Sequence, residues 1–199
     1  APDIAEIQAA LQQINGQALR AGEIIRRLRS LVRTREARRE SVDVNELVKE
    51  LLTLARSDAR LNDVQLSFEH AENLPPVNGD GIQLQQVVLN LIRNAIEALA
   101  ARPGGERQVI VRTGRNARGE VEMSVSDSGP GVDPAIAPRM FDPFCTTKEQ
   151  GTGLGLAISK SIIEAHRGRI DYRPASTGPD PMGGACFFVT LPIFSGEAP

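Results

Sequence analysis

QLQQVVLNLIRNAIEAL (Gln83–Leu99), VSDSGPGV (Val125–Val132), MFDPFCTTK (Met140–Lys148) and GTGLGLAISKSIIEAH (Gly151–His166) follow one another in one stretch, and their order governs how the rest of the chain is read. The first is a helix by periodicity. Val87, Val88, Leu91, Ile92, Ala95 and Leu99 recur at helical spacing, and Asp80 is placed to cap a helix over Gly81–Ala101. Asn90 and Asn94 stand four residues apart on one face of it. Buried amides need partners, so the pair is either two core amides bonded to backbone or a neutral oxygen ligand set. Mg2+ takes such hard oxygens and keeps phosphate oxygens and waters for its remaining positions.

The second motif ends a strand. Asp127 is an acceptor-only carboxylate, and Gly129 and Gly131 leave room for a flat ring, which together suit an exocyclic amine; the same letters also make an ordinary Asp-Gly turn. In the fourth motif Gly151, Gly153 and Gly155 run straight into a helix, where exposed N–H groups and the helix dipole favour an anion. Its spacing fits neither the P-loop nor the dinucleotide-binding fingerprint.

Working outward, Glu40–Val44 alternates like a strand, Asn45 is placed to cap a helix over Glu46–Arg60, and Val64–His70 alternates again. Pro75-Pro76 ends that unit, and Arg102–Glu106 breaks the helix that carries Asn90. Strands follow at Gln108–Thr113 and Glu120–Ser126, joined by a turn at Asn116–Gly119. Ser128–Gln150 reads as a loop with a helical turn around Pro134–Met140, and a loop of that length is a mark of function or mobility. A helix over Leu154–His166, stopped by Gly168, and strands at Arg169–Arg173 and Ala185–Leu191 complete the chain. The expectation is an α+β fold: a two-layer α/β sandwich, with helices on one face of a mixed sheet.

Ahead of it, Asp3–Arg39 contains no Pro. Ile4, Ile7, Leu11, Ile14, Ala18, Ala21, Ile25, Leu28 and Val32 step by threes and fours, as in a coiled coil or bundle. A helix of ~36 residues would run ~54 Å, longer than one domain needs, so self-association is expected. Its arginines (Arg20, Arg26, Arg27, Arg29, Arg33, Arg35, Arg38 and Arg39) read as a solvated face or as a dock for an acidic protein. No aromatic residues interleave them, so nucleic acid is not expected. With 23 Lys+Arg against 25 Asp+Glu, nothing in the total charge points to nucleic acid either. No apolar run approaches the ~20 residues of a membrane span, and two cysteines make no disulfide framework, so a cytoplasmic setting is expected.

Taken as a set, the four motifs resemble the N, G1, F and G2 boxes of the sensor histidine kinases of two-component systems. These are members of the Bergerat-fold (GHKL) ATP-binding group, which includes gyrase B, the MutL repair proteins and the large heat-shock chaperone. The resemblance covers about Val44–Pro192, and RAGEIIRRLRSLVRTREARRESVDVNELV (Arg20–Val48) is similar to the second helix of the kinase dimerisation bundle and its exit. It implies a partial bundle over 1–40, an ATP-binding catalytic domain over 41–194 and a tail over 195–199.

The resemblance also implies roles. Asn94 would hold Mg2+ and Asn90 would support the triphosphate. Asp127 would bond the adenine amine, with Gly129, Gly131 and Thr190 lining the base pocket. Phe141 and Phe144 would anchor a lid over Pro143–Thr152, and Lys148 would reach a phosphate. Gly151, Thr152, Gly153, Leu154, Gly155 and Leu156 would close over the phosphates. The implied cofactors are ATP and Mg2+, and the implied partners are a response regulator receiver domain and a second copy of the chain.

Two departures stand out. Glu97 lies where many kinases carry Lys or Arg, which leaves Arg93 either to take over phosphate contact or to face solvent. Cys145 replaces a frequent aromatic and reads as a small lid residue. Hydrolysing relatives place Glu where Asn90 stands, and an amide cannot accept the proton of an attacking water. Phosphoryl transfer to an imidazole is therefore favoured over free ATP hydrolysis; the other alternative is a degenerate kinase that only dimerises and docks a partner. The chain's two histidines, His70 and His166, both read as structural. The phosphoacceptor is therefore expected outside this sequence, and the fragment is expected not to phosphorylate itself.

Overall fold

A computed structural model describes residues 39–100, 104–148, 151–175 and 182–194. They fall in a compact unit spanning Ala37–Pro199. The long N-terminal helix, the pairing of chains through it and the tail lie outside the described residues.

The elements run β1 (Glu40–Val42), α1 (Val44–Leu61), β2 (Gln65–His70), β3 (Val77–Gly79), α2 (Gly81–Ala100), β4 (Gln108–Arg115), β5 (Val121–Asp127), a 3-10 turn (Ala137–Arg139), α3 (Gly155–Ala165), β6 (Arg169–Pro174) and β7 (Ala185–Leu191). Five strands form one sheet in the order β2-β4-β5-β7-β6. Only β2 and β4 are parallel, and the connection between them carries α2 across the sheet. The sheet is mixed, as expected. One face packs under the helices with Val109, Val111, Met123, Val125 and Val189 buried. The other is polar, crossed by ion pairs between Arg112 and Glu69 (2.6 Å), Arg169 and Asp171 (2.6 Å), and Arg173 and Glu122 (3.8 Å). This is the alternation expected of strands with one dry face.

α2 is the central helix. Leu84, Val87, Val88, Leu91, Ile92, Ala95, Ile96 and Leu99 bury a wide stripe against the sheet and the flanking helices. Asp80 caps it as expected, Oδ1 accepting from the N–H of Ile82 (3.0 Å) and Gln83 (3.2 Å).

Three local expectations change. Asp43, not Asn45, caps α1, taking the N–H groups of Asn45 and Glu46. With the cap moved back, Asn45 turns inward, donating to the Ala71 carbonyl (3.0 Å) and accepting from the Thr113 hydroxyl (2.5 Å). The segment after Pro76 holds a strand, β3, which pairs antiparallel with β1; at three residues it is too short to show alternation. At the end of α3 it is Arg167, at φ 57°, that takes the left-handed position. Arg167 donates to the Glu164 carbonyl and Gly168 to that of Ile163, each at 2.9 Å, a pair of bonds that closes the helix.

His166 is 2 % exposed. Its Nε2 accepts from the Asp80 N–H (2.9 Å), and Nδ1 lies 2.7 Å from the Ile162 carbonyl, which it reaches as a donor. The ring thus ties the C-terminus of α3 to the start of α2, which is a structural role.

Candidate functional site

The four motifs converge along α2. Asn90, partly exposed on α2, donates from Nδ2 to the Ser159 hydroxyl of α3 (3.0 Å). The start of α3 presses against the same amide: a Cβ added at Gly155 would lie 2.5 Å from Asn90 Oδ1, so no larger residue fits without moving the Asn. One turn on, Asn94 Oδ1 accepts from Lys148 Nζ at 3.2 Å, and the same ammonium pairs with Glu97. Another turn on, Ala98 packs against Gly129, where a Cβ would stand 3.7 Å from that of Ala98. From Asn90 to Ala98 the helix rises ~12 Å, forming the floor of an elongated trough.

Asp127 closes one end of the trough. It ends β5 and is 3 % exposed. Oδ1 accepts from the N–H groups of Gly129 (2.9 Å) and Ala185 (3.3 Å); Oδ2 takes no hydrogen bond from the described residues. Burial pushes its pKa up from the ordinary 3.8, and the two N–H groups oppose that shift. Gly184, at φ 84°, lies across the carboxylate, and a Cβ there would come within 2.1 Å of the Asp127 carbonyl. Gly131, at φ 79°, lies beside the Gly184 carbonyl.

The other end is made by the segment carrying Phe144 and Lys148 and by the glycine turn. α3 begins after Leu154 with no side-chain cap, so its first N–H groups remain free to bind an anion. The Leu154 side chain is 1 % exposed; it plugs the core, and only its backbone belongs to the turn. Gly151 donates to the Lys148 carbonyl (3.0 Å) and Gly153 accepts from the Phe144 N–H (2.9 Å), which folds the segment back on itself. Thr152 and Leu156 flank these glycines, partly exposed. Arg93 lies exposed on α2.

Two residues expected here stand elsewhere. Thr190 pairs with Glu122, not with the end of β5. It is five residues along β7 from Ala185, ~17 Å away, and alternation turns it toward the polar face of the sheet. Ala185 and Gly184 take its place as the wall beside Asp127, signalled in the sequence only by Gly183-Gly184 ahead of a strand. Phe141 packs edge-on to Phe187 with centroids 6.5 Å apart. Phe144, expected to anchor a lid, is instead 66 % exposed, on a left-handed backbone at φ 65°. Ser159 also went unmarked, although it lies one turn after Gly155 and holds Asn90.

The family described as histidine kinase-, DNA gyrase B-, and HSP90-like ATPase matches residues 79–194, more than half of the chain. The chain belongs to that family. Within it, the chain is 37 % identical over 198 residues to the C4-dicarboxylate transport sensor protein DctS of Rhodobacter capsulatus, covering 100 % of the chain and 29 % of DctS. It is 40 % identical over 191 residues to the sensor protein FixL of Bradyrhizobium diazoefficiens, covering 96 % of the chain and 36 % of FixL. The chain thus spans about a third of the length of these curated relatives. Among solved structures, full-length ShkA in complex with AMPPNP superposes with a TM-score of 0.75 at 26 % identity, covering 100 % of the chain and 40 % of ShkA. Histidine kinase ThkA in complex with the response regulator TrrA does so at 0.75 and 25 %, covering 100 % of the chain and 55 % of ThkA. These neighbours place the two-layer arrangement among histidine kinase catalytic domains. Among the described residues, no helix is long and apolar enough to cross a membrane.

Proposed function

We propose that this unit binds Mg·ATP in the trough along α2 and presents the γ-phosphoryl group to a histidine of a dimerisation bundle, for relay to an aspartate of a response regulator receiver domain. The observation that carries the reading is Asp127. One carboxylate oxygen is fixed by two backbone N–H groups and the other is left to accept from a ligand, at one end of a floor whose other end offers amide oxygens and helix N–H groups.

The adenine amine donates to Asp127 Oδ2, and the close backbone of Gly129, Gly131 and Gly184 leaves room for the ring alone. The phosphates lie toward Gly151–Gly155, where the N–H groups of the α3 start meet their charge. Lys148 moves from Asn94 to a phosphate oxygen. Asn94 fits a metal by its donor chemistry: Oδ1 is a neutral hard oxygen that already holds a cation, the Lys148 ammonium. Bound there, Mg2+ would neutralise charge developing on the phosphates. Asn90, held by Ser159, carries no proton-accepting group, which supports transfer to an incoming imidazole over activation of water. The pairing of two chains through the N-terminal helix and a cytoplasmic setting belong to the same proposal.

Asp127→Asn tests it. Asn keeps an oxygen for the Gly129 and Ala185 N–H groups but turns an NH2 donor toward the adenine amine. Calorimetric affinity for Mg·ATP is expected to fall by about a hundredfold or more, as when a site built for one hydrogen-bond pattern meets another. Unchanged affinity would remove the base pocket and the proposal with it.

A further inference from the structure

Glu97 has no place in the roles above. It lies three residues after Asn94 and seven after Asn90 on α2. At 3.6 residues per turn it points within about 20° of Asn90, into the trough. A triphosphate along that floor would bring its charge beside the Glu97 carboxylate, and like charges this close repel. A cation must therefore stand between them. One already does: the Lys148 ammonium donates to both Asn94 Oδ1 and Glu97 Oε2. The two acceptors are hard oxygens, one neutral and one charged, one turn apart on a single rigid helix.

We propose that Asn94 and Glu97 together form a two-oxygen cation site, held by Lys148 in the nucleotide-free protein and taken by the divalent ion that arrives with the nucleotide. This rests on the nucleotide reading of the trough and adds a ligand to it. Two hard oxygens from the protein leave the remaining positions of a small divalent ion to phosphate oxygens and water, the mixed set Mg2+ prefers. When Lys148 leaves, its charge goes to a phosphate and the ion's charge replaces it beside Glu97. Nucleotide binding is then weaker without the ion: either Lys148 stays on Glu97 and the phosphates lose it, or Glu97 faces them bare.

The test is the ratio of ATP affinities in MgCl2 and in EDTA, measured by calorimetry on the wild type and on Glu97→Gln. Glu97 is about half exposed, so the substitution is tolerated, and a thermal melt verifies it. The wild type is expected to bind at least about tenfold tighter with metal. In Glu97→Gln, metal-free affinity rises and the gain from metal shrinks to about threefold or less, because a neutral amide neither repels phosphate nor holds the ion as well. Mn2+ in place of Mg2+ gives an independent readout: the EPR signal of free aquo ion at fixed ATP and protein is larger with Glu97→Gln. A wild-type ratio preserved in Glu97→Gln, with equal free Mn2+, overturns the cation site and leaves the nucleotide reading standing. A wild type that binds ATP in neither buffer overturns both.

Discussion

The two ends of the trough are built differently. At the Asp127 end everything is backbone at close quarters: Gly184 lies on the Asp127 carbonyl, two N–H groups fix one carboxylate oxygen, and the residue is nearly inaccessible. At the Lys148 end the contacts are made by long, partly exposed side chains, and the lid's Phe144 faces solvent. On the proposed reading the first end is a preformed mould for a flat, uncharged group. The second is a set of movable charges that an arriving polyanion can rearrange. A preorganised pocket supplies specificity because its shape costs nothing further on binding. A mobile charged end lets a lid open and close around phosphates.

Glycine substitutions break this comparison most directly. Gly184→Ala puts a side chain on a left-handed backbone and drives its Cβ to 2.1 Å from the Asp127 carbonyl, an atom that cannot step aside. A loss of about 3 kcal/mol or more in urea unfolding is expected. Gly151→Ala meets mainly the Thr146 hydroxyl at 2.5 Å, which a side-chain rotation clears. Its cost is expected at about 1 kcal/mol or less. Equal costs at the two positions would mean that the ends are equally rigid.

Asp127→Asn has a further effect, on the protein without nucleotide. Burial raises the pKa of this carboxyl above the 3.8 it has in the unfolded chain. Between those two values the folded state holds the extra proton, so stability falls as pH rises through the window, and at neutral pH the native state carries a buried charge it disfavours. Asn carries no such charge. Its melting temperature is expected to exceed the wild type's by a few degrees at pH 7. The gap should narrow as pH falls toward 3.8 and close below it, where Asp127 is protonated in the folded and unfolded chains alike. A carboxylate kept at some cost to the fold is one kept for a ligand. A wild type more stable than the variant at pH 7 would reverse that conclusion.

The contrast between the ends also explains what could be read from the sequence. α2 and its two amides were legible because eight buried apolar residues repeat at one period and leave Asn90 and Asn94 conspicuous. Asp127 and the glycine turn were legible as motifs, since backbone close to a ligand demands glycine. The partner wall was not: Thr190 was assigned to the pocket, but only the register Ser126↔Cys186 reveals that Ala185 and Gly184 stand beside Asp127. Register joins segments about 60 residues apart, and no local pattern encodes it. The misplaced cap has a local cause, because Asp43 and Asn45 are both good caps and only the inward bonds of Asn45 to Thr113 and Ala71 decide between them. Phe144 was expected to anchor the lid as an aromatic; its left-handed backbone, set by the bond to Gly153, turns it outward.

The smallest effect on stability should come from the most prominent contact at the mobile end. Lys148 bridges Asn94 and Glu97, but its side chain is 39 % exposed and that of Glu97 is 51 % exposed. Pairs this open gain little after solvent screening and side-chain entropy are counted, about 0–1 kcal/mol at most. Lys148→Met is therefore expected to lower the unfolding free energy from urea melts by no more than about 0.5 kcal/mol. The same change should weaken Mg·ATP binding by about tenfold, since a charge that reaches the phosphates is lost. That combination, a silent melt with impaired binding, is what a side chain held for a ligand gives. A stability loss above about 1 kcal/mol would instead make the bridge part of the fold, and the Lys148 end would then be as preformed as the Asp127 end.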